Sequence, residues 1–200
     1  MHPHPELQFG SRLLESLECK PEKTALATME LPWNLAKPRL KLVPETLIFV
    51  ESMDRSYLDR VEGELPDLDT VVGIGGGSCM DFAKYMAWKR SARLILIPSI
   101  VSVDACVTHL VAVREGKKVR NIGNIQPQQV LVDFPLISAA PARLNRAGAA
   151  DILSIHTASR DWKLGHERDG EYYSDSVPIE CDRILAELET EAEAIKAVSE

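Results

Sequence analysis

The stretch Asp69-Thr-Val-Val-Gly-Ile-Gly-Gly-Gly-Ser-Cys-Met-Asp-Phe-Ala-Lys84 constrains the fold more than any other. Thr70, Val71 and Val72 are β-branched and mostly apolar, which predicts a short buried strand. Glycines at 73, 75, 76 and 77 break it, and from Ser78 the residues Met80, Phe82, Ala83 and Met86 fall on one helical face. A strand that passes through glycines into a helix N-terminus is suited to anions. The backbone can approach a phosphate closely, and the unpaired N–H groups and the helix dipole favour negative charge. Ser78 is placed to cap the helix, with Asp81 three residues on in the manner of a capping box. Read as G-x-G-x-x-G from Gly73, the stretch keeps Gly75 but has Ser78 where the third glycine belongs. The next strand, Leu94–Ile97, ends in Pro98-Ser99 without the acid of the common dinucleotide fingerprint, and no lysine directly follows the glycines. Phosphate or pyrophosphate binding by another geometry is indicated, with a bare strand–helix turn as the alternative.

Around this stretch the elements alternate. Thr46–Val50 predicts a strand and about Arg55–Leu65 a helix, followed by the glycine turn, a helix over about 78–90 and the Leu94–Ile97 strand. Val111–Val113 and Val119–Ile122 flank Glu115-Gly116-Lys117 as a hairpin, and Gln129–Asp133 is a further buried strand. Residues before 46 are less legible: Leu7–Leu17 is weakly helical, and Glu30-Leu-Pro-Trp-Asn34 reads as an extended lead-in. From Leu144 the chain is helical almost to its end, with Gly165 and Gly170 loosening the link to a final acidic helix over about 176–198. The expected fold class is α/β: a Rossmann-like parallel-sheet domain over 1–140, then the start of an all-helical domain over 141–200. Ligands of such sheets sit at the carboxyl ends of strands, so Ser99, Ser102, Asp104 and Thr108 belong near the glycine turn, although turn and capping roles also suit them.

Charge and cysteines exclude some classes. A net charge of −7 with no compensating basic stripe argues against nucleic acid, and the run Lys117-Lys118-Val119-Arg120 reads as a hairpin turn. Four scattered cysteines without a CxxC pair suit reduced thiols in a cytoplasmic protein. No apolar run approaches membrane-spanning length, and no membrane partner is expected.

Among candidate chemical groups, Asp151 in Arg146-Ala-Gly-Ala-Ala-Asp151 has small neighbours and suits a metal ligand, a substrate-binding group or a helix N-terminal carboxylate. His156 is about 140° round a helix from it, and His109 and His166 read as surface or packing residues. His2 and His4, in a Pro-interrupted start, are not read as metal ligands. A catalytic zinc needs about three protein ligands, and the sequence does not assemble them.

Gly73–Lys84 resembles the glycine motif of the iron-containing alcohol dehydrogenase and dehydroquinate synthase superfamily, most nearly that of its sn-glycerol-1-phosphate dehydrogenases. Pro98-Ser-Ile-Val-Ser-Val-Asp-Ala105 resembles that family's P-T-A-A-S-H-D-G loop. Leu131-Val-Asp133, Ala140-Pro-Ala-Arg-Leu144 and Arg146–Asp151 resemble its A-D…A-P-x-R-L…A-G-x-G-D segment. Ala158–His166 and Gly170-Glu-Tyr-Tyr-Ser174 resemble the helix and turn that follow, so the likeness runs from about 69 to 190.

The resemblance implies that Gly75, Gly76, Gly77, Ser78 and Cys79 hold the pyrophosphate of NAD or NADP. It places Ser99, Ile100, Val101 and Ser102 beside the cofactor with Thr108 near it, gives Asp104 to the substrate, and makes Asp151 a ligand of zinc or iron next to the substrate. The implied reaction is reversible hydride transfer between NAD(P)H and the carbonyl of dihydroxyacetone phosphate, the metal acting as a Lewis acid on that oxygen. The implied partner is a small phosphorylated polyol and the implied setting phospholipid biosynthesis. A cyclase of the dehydroquinate synthase type and a non-catalytic nucleotide-binding module are the alternatives.

The chain departs from the family pattern. Ser99 replaces a threonine, Val103 a histidine, and Ala105 and Ala150 replace glycines. The family's first strand and helix are not recognisable, and the chain ends before the helical domain that carries two histidine ligands. A truncated or divergent member is therefore expected, with little or no turnover by this chain alone. An incomplete helical half exposing apolar surface would also favour homo-oligomers.

Overall fold

The computed structural model describes residues 5–41 and 43–198; His2 and His4 lie outside the described residues. The chain divides into two compact units, residues 1–140 and 141–200.

The first unit is an α/β fold of Rossmann type. Its strands are β1 (Glu6–Gly10), β2 (Thr24–Thr28), β3 (Thr46–Phe49), β4 (Thr70–Gly75), β5 (Arg93–Pro98) and β8 (Gln129–Asp133), in the order β1-β8-β5-β4-β2-β3. Every pairing is parallel. A separate antiparallel hairpin, β6 (Leu110–Glu115) and β7 (Lys118–Asn124), turns at Gly116. The helices are α1 (Glu30–Ala36), α2 (Arg55–Glu64), α3 (Gly77–Arg90) and α4 (Phe134–Ser138).

Successive strand residues face opposite sides, so each buried strand feeds two cores. Ala27, Val71, Leu94, Leu96 and Val130 pack on one face with Leu58 of α2, Phe82 and Met86 of α3, and Val111 and Val113 of the hairpin. Leu26, Val72, Ile74, Ile95, Ile97 and Leu131 pack on the other with Trp33 and Ala36 of α1 and with Leu14, Leu17 and Leu136. Each fully buried aliphatic side chain contributes about 1.5–3 kcal/mol by area, which makes these paired faces the main source of stability.

Three expectations for the first 46 residues are corrected. The Leu7–Leu17 stretch is not a helix: β1 pairs with β8, and a short 3-10 turn over Leu14–Ser16 follows. The extended lead-in at Glu30–Asn34 is helix α1, whose first backbone bond runs from Trp33 N–H to the Met29 carbonyl. Pro32 precedes that bond, so its missing N–H has no intrahelical partner to lose. A strand and a helix, not recognisable in the sequence, do precede Thr46: they are β2 and α1. β2 is buried along its whole length between β4 and β3.

The connections diverge at the centre of the sheet. From β2 the chain crosses by α1 to β3 on one side, and from β4 it crosses by α3 to β5 on the other. The gap between the carboxyl ends of β2 and β4 is therefore the topological switch point, where doubly wound sheets open a crevice.

The second unit contains α5 (Ala142–Asp169), α6 (Ser176–Thr190) and α7 (Ala192–Val198). Gly165 lies inside α5 rather than in a link, and α5 ends at Gly170, in the left-handed region with φ 70°. Among the described residues no helix is long and apolar enough to cross a membrane.

Candidate functional site

The glycine turn joins β4 to α3 at the switch point. Gly73 has to be glycine because α3 lies against the strand: a Cβ there would stand 2.8 Å from the Ala83 Cβ and 3.2 Å from the Cys79 carbonyl oxygen. Gly75, at φ 150°, adopts a backbone conformation that L side chains rarely take, and a Cβ would lie 2.5 Å from the Cys79 Sγ. Gly76 is the N-cap of α3, with no side-chain capping bond, and the first helical bond runs from Met80 N–H to the Gly76 carbonyl. The expected capping role of Ser78 is thus corrected: Ser78 sits exposed inside the first turn, and Asp81 turns to Lys84 instead. The N–H groups of Gly77, Ser78 and Cys79 open the helix and have no carbonyl one turn back to bond. Cys79 is fully buried beneath Gly75, and burial pushes its thiol up to about 12 despite the Gly76 N–H beside it. Its side chain belongs to the core, leaving the backbone N–H as what it offers a ligand.

The loop after β5 folds over this turn. Ser99 N–H donates to the Gly75 carbonyl at 2.9 Å, and Ser99 is buried. Ile100 approaches Gly76 so closely that a Cβ there would be 3.0 Å from its Cδ1, and Val103 stands over Gly77 at 3.6 Å by the same measure. Ser102 is half-buried, whereas Val101 and Asp104 are exposed. The Asp104 carbonyl accepts the N–H groups of Val107 and Thr108, closing a turn.

The far end of the loop is held by a residue that sequence reasoning missed. Lys84, fully buried on α3, donates to Thr108 Oγ1 at 2.9 Å and to the Leu110 carbonyl at 3.3 Å, and lies 3.4 Å from Asp81 Oδ1. Burial lowers the Lys84 pKa, and the charges of Asp81 and Asp104 oppose that shift. Burial raises the Asp81 pKa, with Lys84 opposing it. The signal was present in the sequence as a lysine on the apolar face of a helix, three residues after an aspartate.

A cleft of about 260 Å³ opens at the ends of β2 and β3, beside the helix start. Met29, Val50–Met53, Ser78 and Arg114 line it. Of the predicted site residues, those of the glycine turn and of the 99–108 loop are brought together. Asp151 belongs to the second unit, exposed and ten residues into α5, so it is not a helix N-terminal carboxylate. His156 is exposed on the same helix, and His166 shares a hydrogen bond with the Glu171 carbonyl at 2.6 Å. Among the described residues no group of three His, Cys, Asp or Glu side chains lies together in a way that holds a metal ion. Zinc or iron therefore finds no ligand set in them.

A sequence profile described as iron-containing alcohol dehydrogenase matches residues 41–141. Glycerol-1-phosphate dehydrogenase [NAD(P)+] from Hyperthermus butylicus is 34% identical over 152 residues, covering 72% of this chain and 43% of that protein. The protein of the same name from Methanococcus aeolicus is 35% identical over 170 residues, covering 79% and 49%. The chain thus spans less than half the length of these curated relatives. Among solved structures, a probable glycerol dehydrogenase from Sinorhizobium meliloti 1021 superposes with a TM-score of 0.74 at 22% identity, covering 98% of this chain and 59% of that one. A profile match over half of the chain, centred on the glycine turn and the loop above it, shows that the chain belongs to the iron-containing alcohol dehydrogenase family.

Proposed function

We propose that this chain supplies the NAD(P)-binding half of a dehydrogenase that interconverts dihydroxyacetone phosphate and sn-glycerol 1-phosphate or a related polyol. The observation that supports it most is the Ser99–Gly75 hydrogen bond, which closes the second loop onto a glycine turn at the switch point of a parallel sheet. The relatives named for glycerol-1-phosphate and NAD(P)+ supply the substrate and cofactor class. Residues 1–140 then form the cofactor domain, and 141–200 begin a helical substrate domain.

In this reading the N–H groups of Gly77, Ser78 and Cys79, with the backbone of Gly75 and Gly76, receive the pyrophosphate, where the dipole of α3 adds to the attraction. Ser99, Ile100, Val101 and Ser102 line the cofactor and exclude water from one side of it. Thr108, held by Lys84, fixes the end of that wall. Asp104, exposed on the loop, receives a substrate hydroxyl. Asp151 is the carboxylate that the family resemblance offers towards a metal, and one ligand does not hold a metal ion. A nicotinamide held along this wall would supply the hydride for the carbonyl carbon of the substrate that Asp104 orients.

Titration of the NADH-loaded chain with dihydroxyacetone phosphate, read by cofactor fluorescence, tests the reading. Wild type responds saturably, while Asp104→Asn binds NADH equally and responds weakly. An NADH-loaded chain indifferent to dihydroxyacetone phosphate and to sn-glycerol 1-phosphate would contradict it.

A further inference from the structure

Two branched side chains rest on the glycine turn, in the space a ligand there would need. The Ile100 Cδ1 stands 3.0 Å from the place a Cβ would take at Gly76, and the Val103 Cγ1 stands 3.6 Å from that at Gly77. Among the described residues these are the side chains that come within 4 Å of either position, and both glycines are half-buried. The stretch that carries them, residues 100–103, is anchored at both ends. Ser99 N–H donates to the Gly75 carbonyl at 2.9 Å before it. After it, the Asp104 carbonyl accepts the Val107 and Thr108 N–H groups, and Lys84 holds the Thr108 hydroxyl. Between the anchors, residues 100–103 neither give nor receive a backbone hydrogen bond among the described residues. The middle of the loop therefore lies on the glycines by apolar contact, and a segment so held opens at far lower cost than the elements around it.

This contact covers donors without satisfying them. The N–H groups of Gly77 and Ser78 begin α3 with no carbonyl one turn back, and the methyl groups of Ile100 and Val103 accept no hydrogen bond. An arriving phosphate replaces that apolar cover with charge-assisted bonds. Resting on the cofactor reading above, we propose that residues 100–103 are a strap that closes the empty glycine turn through Ile100 and Val103, and that it lifts between its anchors to admit the dinucleotide. The lifted strap then stands beside the cofactor as its wall, with Ser99 and Thr108 still held. The anchors thus serve the bound state, whereas the contact of Ile100 and Val103 with the bare glycines belongs to the empty state alone and opposes entry. Association is paced by the fraction of molecules whose strap is open, and the same fraction scales the apparent affinity.

The test reads the empty turn and ligand entry separately, in wild type, Ile100→Ala, Val103→Ala and Val107→Ala. Amide exchange of Gly77 and Ser78 without ligand, followed by NMR, reports the closed strap. The NADH association rate, by stopped-flow fluorescence, reports entry; it is chosen over affinity because Ile100 also lines the bound cofactor. Loss of about two buried methylenes multiplies the open fraction by about ten. Ile100→Ala and Val103→Ala should therefore exchange these amides and take up NADH about ten-fold faster. Val107→Ala, at an exposed position on the same loop and away from both glycines, should do neither. Exchange unchanged in Ile100→Ala and Val103→Ala, equal acceleration in Val107→Ala, or faster exchange without faster association overturns the strap, and saturable NADH binding in the same proteins leaves the cofactor reading standing. Faster exchange with no NADH signal from any of the proteins keeps the strap as the cover of the turn and overturns the cofactor reading.

Discussion

The Lys84 ammonium, fully buried on α3, lies 2.9 Å from the Thr108 hydroxyl at the end of the loop that folds over the glycine turn. The same ammonium reaches the Leu110 carbonyl, so one side chain joins the helix that starts at the glycines to the far end of the loop. Ser99 N–H to Gly75 secures the near end. The loop is thus fixed at both ends on the element whose N-terminus faces the ligand.

Lys84→Met keeps much of the aliphatic stem and removes all three polar contacts. It is predicted to weaken NADH binding by about ten-fold, the scale of one lost hydrogen bond to a charged group. Amide hydrogen exchange over residues 101–108 should quicken at the same time. Unchanged exchange in that loop together with unchanged affinity would show that Lys84 does not hold it.

Gly75→Ala places a Cβ against the Cys79 Sγ and Cβ on a backbone with φ 150°. A non-glycine residue in such a conformation costs about 1–3 kcal/mol before the clash is counted. The expected loss is about 3 kcal/mol in denaturant unfolding. Gly75→Ala combined with Cys79→Ala should recover the part due to the clash and not the part due to φ.

Asp133, fully buried at the end of β8, accepts from the Leu13, Leu14 and Leu136 N–H groups and from Arg39, whose Nη1 is 2.5 Å away. Burial alone would raise its pKa. The Arg39 guanidinium and the backbone donors more than offset that and hold it below the ordinary value of 3.8. A depressed carboxylate pKa stabilises the fold above the unfolded-state value, and that contribution is lost as pH falls through the folded-state value. The stability gap between wild type and Asp133→Asn should therefore be widest near neutral pH and narrow as pH falls below about 4. Arg39→Met, which leaves the buried carboxylate without its cation, should cost about 3 kcal/mol at neutral pH. A gap independent of pH would contradict this role.

Cys79 is buried with its thiol pushed up to about 12, whereas Cys19 and Cys181 are partly exposed. Only the thiolate attacks an alkylating reagent. Iodoacetamide at neutral pH should modify Cys19 and Cys181 well before Cys79, as read by peptide mass mapping. Early modification of Cys79 would show that the glycine turn opens more freely than its packing indicates.

The centre of the fold was legible because its residues say one thing locally and globally. Thr70–Val72 is β-branched, the glycines must break it, and the apolar spacing after Ser78 fits only a helix. β2 was not legible because Thr24-Ala-Leu-Ala-Thr28 has little β-propensity of its own; burial between two strands, rather than side-chain preference, makes it a strand. The expected lead-in at Glu30 misled because Pro32 reads as a breaker, although in a first turn it is tolerated. The loop over 99–108 was placed near the glycines by strand order and by family likeness. Lys84 escaped notice because its role comes from a contact across 24 residues of chain, which no periodicity records.

The most direct measurement is the NADH dissociation constant of this chain, by cofactor fluorescence, for wild type and Gly76→Leu. Gly76 has ordinary extended backbone, so the substitution introduces no φ strain, but its side chain fills the turn against Ile100. Saturable binding by wild type, weakened at least about a hundred-fold in a folded Gly76→Leu by loss of close backbone approach to the pyrophosphate, is the expected result. Equal binding by both proteins, or none by wild type at millimolar NADH, would contradict a dinucleotide site on the glycine turn.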